Sequence, residues 1–458
     1  MSTLSRGRER FAVVMVFCVG LLTALLFTFV IYPRQQTIHQ VLDLNHFGQI
    51  GINLYQGKGF SLGDGPTIRR GPLYPGIVAL VFEIFGYRNQ SSYLPVFLLQ
   101  CLFNGLTCAF AYAIAKRLFG YSTGLLAGLL CSITPMVLRY VPEIEVEATM
   151  TLLITVMTYT AVRCYQDKSV FWGCMLGIAT GLASLTKAVA LLYPFVFIGL
   201  LLWWRWKHHA SERASYPVRQ IIIALLIGLG LTISPWLIRN EIVTHGEFHG
   251  ISSNASGEFI RSFINVEPKF VFLRKPFGLG NWDWQANMFE NGLLKKHGME
   301  FIAKKNGHYV LVPMNIKMEI RKELLENHIA LELIRKHPLW FLWKEFIQIF
   351  TFWYIVETPK KSIMVGCIAL FCLGFGWYGV KTARRQKIPV EPVVALVLYF
   401  NGIYALILSF ARYSMPVYPS LLPLTAYGLY WAFVGRKRMN AVTQRAEPTS
   451  ESMEAVSR

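Results

Sequence analysis

Apolar residues in this chain come in long runs, not in the short periodic clusters of a water-soluble fold. The first run covers residues 11–32. At about 1.5 Å per residue it is long enough to cross a hydrocarbon core of about 30 Å. It exceeds a signal-peptide core of about 7–15 residues, and Tyr32-Pro33-Arg34 makes a poor cleavage site. Further runs occupy 93–115, 122–138, 148–162, 171–186, 188–204, 221–237, 362–380, 390–411 and 415–434. Each predicts a membrane helix. Two others are ambiguous: 72–86 is short and contains Glu83, and 338–356 contains Lys344 and Glu345.

Positive charge orders these runs. Arg6, Arg8 and Arg10 precede the first, which predicts a cytoplasmic N-terminus. With both ambiguous runs held at the outer surface, Lys116/Arg117, Arg163/Lys168, Arg205–Lys207–Arg213, Arg384/Arg385 and Arg436–Arg438 all fall inside. Counting both as spans would put most of those clusters outside. The expected fold class is therefore an all-α polytopic membrane protein, a bundle of about ten to thirteen transmembrane helices with outer-face loops. The run Trp203-Trp204-Arg205-Trp206-Lys207 fits a cytoplasmic interfacial belt.

Four regions follow. Residues 1–238 form an N-terminal membrane module that includes an outer loop at 33–71. Residues 239–337 form a second outer segment, long enough to carry its own structure. Its end has helical apolar spacing at Ile320, Leu324, Leu325, Ile329 and Leu333, which predicts a helix over 316–336. Residues 338–435 hold the C-terminal membrane helices, and 436–458 read as a disordered polar tail in the cytoplasm. No internal repeat of the kind common in transporters is visible.

Composition agrees with this reading. Of the 458 residues, 54% are hydrophobic and 16% charged, against about 25% charged in soluble domains. The net charge of +19 suits cytoplasmic loops and anionic lipid. No nucleic-acid motif accompanies it, so a nucleic-acid partner is excluded. All eight cysteines lie in or beside apolar runs, without disulfide or metal-ligand spacing.

Asp43, Arg69, Arg70, Glu143, Glu145, Glu147, Lys187, Arg239 and Arg412 share one property. On the ten-span arrangement each lies at the outer end of a helix or in an adjoining loop. A single Lys or Arg there can simply snorkel. Agreement among nine ionisable residues points instead to a site where cations meet a phosphate and carboxylates meet a base or a metal.

Several segments resemble one family. The first outer loop reads Asp43-Leu44-Asn45-His46-Phe47, then Gly51-Ile52-Asn53-Leu54, Gly57-Lys58-Gly59-Phe60 and Arg70-Gly71-Pro72-Leu73-Tyr74-Pro75. Gly177-Ile178-Ala179-Thr180-Gly181-Leu182-Ala183-Ser184-Leu185-Thr186-Lys187 follows, then Pro235-Trp236-Leu237-Ile238-Arg239-Asn240 and Arg412-Tyr413-Ser414-Met415-Pro416. In this order they are similar to the motifs of membrane glycosyltransferases of the GT-C class, such as protein mannosyltransferases and lipid A aminoarabinose transferases. The chain departs from the pattern at Phe47, where the family has tyrosine, and at Gly71, where it has proline. Arg69 stands where some relatives have an acid, and Leu44 where some have a second one.

The resemblance implies a sugar leaving a polyisoprenyl phosphate carrier for a glycan, lipid or protein acceptor on the outer face of the cell (inner) membrane. Arg70, Lys187, Arg239 and Arg412 then suit the donor phosphate, because charge developing on a leaving phosphate needs cations. Asp43 is the candidate base for an acceptor hydroxyl, with Glu147 the next carboxylate. Humbler readings stand beside these: Asp43 as an N-cap, Glu147 as an exposed helix-start acid, Arg412 as an interfacial anchor. No cofactor is specified; a divalent metal is allowed by the carboxylates, but no spacing fixes its ligands. A transporter or lipid flippase, and an inactive binding subunit, remain the competing readings.

Overall fold

The computed structural model describes residues 3–32, 43, 45–63, 65–207, 216–253, 255–263, 282–305, 308–312, 314–356 and 358–435. The tail 436–458, Arg213, most of 33–44 and the glycine- and aromatic-rich stretch at 276–281 lie outside them.

The apolar runs are helical over most of their length, with breaks at Thr134 and at 408–410, and further helices lie between them. In chain order the helices are α1 (Thr3–Leu26, continued by a π-turn Phe27–Ile31), α2 (Phe47–Tyr55), α3 (Leu73–Phe85), α4 (Leu94–Phe119), α5 (Tyr121–Ile133) and α6 (Glu147–Asp167). There follow α7 (Val170–Thr186), α8 (Tyr193–Lys207), α9 (Val218–Val243), α10 (Ala255–Ser262), α11 (Trp282–Lys296) and α12 (Ile316–Lys336). The C-terminal set is α13 (Pro338–Tyr354), α14 (Pro359–Arg385), α15 (Glu391–Ile407) and α16 (Tyr418–Tyr430). Among the described residues there are two short antiparallel hairpins, Ser61–Leu62 with Gly65–Pro66 and Ile302–Lys305 with His308–Leu311.

Among the described residues, five helical stretches are long and apolar enough to cross a bilayer by length and composition: Gly7–Ile31, Gln90–Phe119, Ala188–Lys207, Val218–Val243 and Pro359–Arg385. Leu73–Phe85, Tyr121–Ile133, Val170–Thr186 and Glu391–Ile407 are shorter apolar helices. Helix α6 is more polar because it carries several threonines, yet it is buried along most of its length. Its hydroxyls answer the burial locally: Thr151 donates to Glu147 O, Thr155 to Thr151 O and Thr158 to Ile154 O. Most of its hydroxyls are thus satisfied within the helix, while the buried Thr149 hydroxyl has no partner among the described residues.

Helix α6 also sets the spacing of two charged layers. Glu147 is its first residue, while near its end Arg163 Nε donates to Asp167 at 2.7 Å and Asp167 also pairs with Arg117 of α4. Lys116 pairs with Glu9 of α1 at 2.7 Å in the same layer. At 21 residues the helix separates the layers by roughly 30 Å, about one hydrocarbon core.

Close helix packing explains one of the glycine motifs. A Cβ on Gly177 of α7 would run into the carbonyl oxygen of Leu225 on α9, and one on Gly228 into that of Cys174. Small residues let the two backbones touch where no hydrophobic force separates protein from lipid.

The segment between α9 and α13 has its own core, built from Ile260, Leu294, Met299, Phe301, Ile302, Ile329 and Ala330. Helix α12 occupies the expected residues, but its buried face differs from the expected stripe. Leu324 is 61% exposed, whereas Glu319 and Glu326 are buried. Both acids have partners that periodicity cannot reveal: Glu319 takes the Thr67 hydroxyl at 2.8 Å, and Glu326 pairs with Lys322. The charges that made 338–356 ambiguous likewise turn inward. Lys344 is fully buried, 2.8 Å from Glu345, with Leu406 O as acceptor at 3.1 Å and the Phe259 ring 4.6 Å away. The exposed face of α13 carries Leu339, Leu342, Trp343, Phe346 and Phe350.

Candidate active site

A linked row of polar side chains joins the loop that carries Asn45 and Arg70 to the C-terminal helices. Arg70 Nε donates to Asn45 O at 3.0 Å, and its Nη2 to Asn45 Oδ1 at 2.8 Å. Asn45 Nδ2 donates to Glu145 Oε1 at 2.6 Å. Glu145 Oε2 lies 2.8 Å from Arg412 Nη2, and Arg412 Nε donates to Glu147 Oε1 at 2.5 Å. Arg412 also lies over the Tyr140 ring at 5.0 Å. Glu145 and Glu147 are 5% and 3% exposed, and the arginine between them offsets part of the cost of burying two like charges. Burial holds the Glu145 carboxyl above the usual carboxylate range; Arg412 opposes that shift and Glu147 adds to it.

Lys187 follows the last residue of α7. Its ammonium sits 4.0 Å from the centre of the Tyr413 ring and 5.3 Å from that of Tyr404. Those two rings stack on each other at 4.8 Å. No hydrogen-bond acceptor meets the ammonium among the described residues, and the charges of Glu147, Arg412, Glu258 and Glu145 act on it. Arg70 is brought towards the same place by the loop that follows it. A Cβ on Gly71 would collide with the carbonyl oxygen of Leu185 and approach that of Thr186. Glycine therefore stands here because the loop lies directly on the end of α7, beside Lys187.

Asp43 joins from the side. Its Oδ2 accepts the Gln49 N–H at 2.7 Å and so satisfies a first-turn donor of α2, whose N-cap position is His46. Its Oδ1 is buried and has no hydrogen-bond partner among the described residues. Burial pushes this carboxyl above its ordinary value, and the backbone N–H groups of Gln49, Gly48 and Phe47 pull the other way. The capping reading of Asp43 thus accounts for one oxygen and leaves the other unexplained. The Tyr74 hydroxyl, buried between Asp43 and the row, donates to Gln100 Oε1 at 2.9 Å. The Phe47 ring meets Tyr74 edge-on at 5.7 Å and lies 5.2 Å from the Arg70 guanidinium. The two remaining humbler readings fit less well: Glu147 is buried, and Arg412 is held by two carboxylates rather than facing an interface.

Arg239 stands apart. Its Nη1 donates to Thr67 O and Asn240 Oδ1, each at 2.9 Å, and its Nη2 to Phe60 O at 3.1 Å. It also lies over the Trp236 and Phe60 rings. The expected group of phosphate-binding cations is therefore divided, with Arg70, Lys187 and Arg412 together and Arg239 committed to backbone carbonyls.

Three contributors lack an assigned role in the sequence reading. Glu145 belongs to the alternation Glu143-x-Glu145-x-Glu147, which offered a signal without saying which acid mattered. Asn45 gave none. Glu258 comes from α10; its charge acts on both Lys187 and Arg70, and Arg261 holds it at 2.6 Å. Among the described residues no three His, Cys, Asp or Glu side chains are grouped to hold a metal ion. The nearest carboxylate pair, Glu145 and Glu147, is bridged by Arg412. These donors do not fit a divalent ion.

Residues 69–238 match the family model described as dolichyl-phosphate-mannose-protein mannosyltransferase. No curated protein matches the chain. In structure it is similar to the archaeal oligosaccharyltransferase AglB from Archaeoglobus fulgidus in complex with an inhibitory peptide and a dolichol-phosphate. That match has a TM-score of 0.55 and 11% identity, over 98% of this chain and 53% of the other. The apo form of the Archaeoglobus fulgidus oligosaccharyltransferase gives 0.54 and 12%, over 94% and 52%. ArnT from Cupriavidus metallidurans bound to undecaprenyl phosphate gives 0.37 and 12%, over 92% and 78%. The chain spans about half the length of the oligosaccharyltransferase chains it matches. With the mannosyltransferase-family segment at 69–238, the chain is a multi-pass membrane protein of the GT-C glycosyltransferase fold.

Proposed function

We propose that the chain is a glycosyltransferase that moves a sugar from a polyisoprenyl-phosphate carrier to an acceptor on the outer face of the cell membrane. The observation that carries this reading is Lys187. Its ammonium is held on two aromatic faces with its donors free, close to Arg70 and Arg412. A cation kept this way is suited to an anion that arrives, such as a lipid phosphate. The dolichol-phosphate bound to the similar oligosaccharyltransferase belongs to the same chemical class.

The acceptor oxygen attacks the anomeric carbon while the bond from that carbon to the phosphate oxygen breaks. Lys187, Arg70 and the Nη1 of Arg412 offset the charge that develops on the leaving phosphate. Asp43 takes the acceptor proton on Oδ1 while Oδ2 stays on the Gln49 N–H, which keeps the carboxyl in place. A single displacement of this kind inverts the anomeric centre. Glu147 serves mainly to hold Arg412.

The test is mass spectrometry of cell-envelope glycans, lipids and proteins from cells carrying either the wild-type chain or Asp43→Asn. A hexose- or pentose-sized mass on one acceptor class, present with the wild type and absent with the variant, is the expected result. Identical profiles would refute the assignment.

A further inference from the structure

We propose that Glu319 and Arg239 are positioning residues that hold Arg70 in the donor site by clamping residues 67–69 from two sides. This rests on the donor-phosphate reading above. The segment just before Arg70 has its backbone groups bound almost completely. Thr67 N donates to Phe60 O at 3.2 Å, and Thr67 O accepts from Arg239 at 2.9 Å. Ile68 N donates to Glu319 Oε2 at 3.0 Å, and Ile68 O accepts from Ser253 N at 2.9 Å. Arg69 N donates to the Thr67 hydroxyl at 3.2 Å, while that hydroxyl donates to Glu319 at 2.8 Å. So full a pairing far from any long strand fixes a segment firmly.

The partners come from different parts of the molecule. Arg239 belongs to membrane helix α9, Ser253 to the segment leading into α10, and Glu319 to α12. Glu319 is 4% exposed, and no lysine or arginine forms a direct salt bridge with it among the described residues. A buried carboxylate is costly, and this one is satisfied by a backbone N–H and a hydroxyl of the active loop. On the far side, Gly71 lies against Leu185 and Thr186. Arg70 is thereby held from before and after. Electrostatic stabilisation of a leaving phosphate depends on such preorganisation, since a misplacement of about 1 Å can cost about 10²-fold. The segment between α9 and α13 thus determines the donor site through Glu319 without touching the donor.

The experiment measures undecaprenyl phosphate binding to the full chain in detergent by native mass spectrometry. Glu319→Gln and Arg239→Lys should each weaken binding roughly 10-fold, as expected for a lost charge-assisted hydrogen bond. In an Arg70→Gln background, Glu319→Gln should weaken it no further, because both act through one group; in a Lys187→Gln background the losses should multiply. Full loss in the Arg70→Gln background, or unchanged binding by folded Glu319→Gln, overturns the proposal. Thr67→Val, which removes one donor and keeps the side-chain shape, replaces Glu319→Gln if that variant does not fold. Should the wild type not bind undecaprenyl phosphate, the donor reading fails and hydrogen exchange judges the clamp by itself. Amides of 67–69 should be protected in the wild type and exposed in Glu319→Gln; equal exchange in both overturns it.

Discussion

Arg412 and Glu147, 265 residues apart in sequence, meet at 2.5 Å, and the same guanidinium reaches Glu145 at 2.8 Å. One arginine from the C-terminal half thus fastens the start of α6 and the end of the loop before it. Removing it leaves two buried carboxylates facing each other. Arg412→Gln should therefore destabilise the protein by about 3–5 kcal/mol. Arg412→Lys should cost less, because it keeps the charge and loses the fork that spans both acids. Thermal unfolding in detergent measures both. Equal melting temperatures for wild type and Arg412→Gln would refute the bridge as a structural element.

Asp43→Asn separates base from cap. Asn caps a helix about as well as Asp, so α2 should survive. Transfer should fall by about 10²-fold or more, because the free Oδ1 loses its charge and basicity. Near-normal transfer by the folded variant would move the base role to another group.

The pH profile carries a sign. Burial raises the Asp43 carboxyl, so it gains its proton at a higher pH than a free aspartate. A base works ionised, so transfer should fall as pH drops through that raised value, before free aspartates titrate. For stability the sign is opposite: with a raised folded-state value, the contribution is full below the unfolded value and is lost as pH rises through the folded one. An acid limb at the ordinary aspartate position, read from initial rates, would count against this environment.

Gly71→Ala tests the contact between loop and helix end. The added methyl would meet the Leu185 carbonyl, which cannot move without unwinding the end of α7. Overpacking of this kind costs about 1–3 kcal/mol. Donor use should suffer as well, because Arg70 is the preceding residue. A variant with wild-type melting and wild-type donor KM would show that the loop can step aside.

Chelation supplies a separate check. Because Arg412 occupies the bridge between Glu145 and Glu147, EDTA treatment should leave transfer undiminished. Loss of activity on chelation, restored by a divalent ion, would mean that the carboxylates change partners on the way to the reaction.

Local pattern determined a great deal in this chain. Apolar runs marked the long apolar helices, and the spacing of Ile320, Leu324, Leu325, Ile329 and Leu333 predicted α12 even though Leu324 is exposed, because helix formation depends on residues within a few turns. The agreement of polar residues at one end of the helices indicated where chemistry gathers, since charge is expelled from hydrocarbon. Tertiary structure alone decided what each polar residue does there. Arg239 and Arg412 are alike by type and by depth, yet one holds the carbonyls of Phe60 and Thr67 and the other bridges two carboxylates. Glu319 and Glu326 lie on the buried face of α12 because partners from residues 67–68 and from Lys322 are present to receive them. Such partners are set by contacts between distant segments, and a buried polar group takes its role from its partner rather than from its neighbours in sequence.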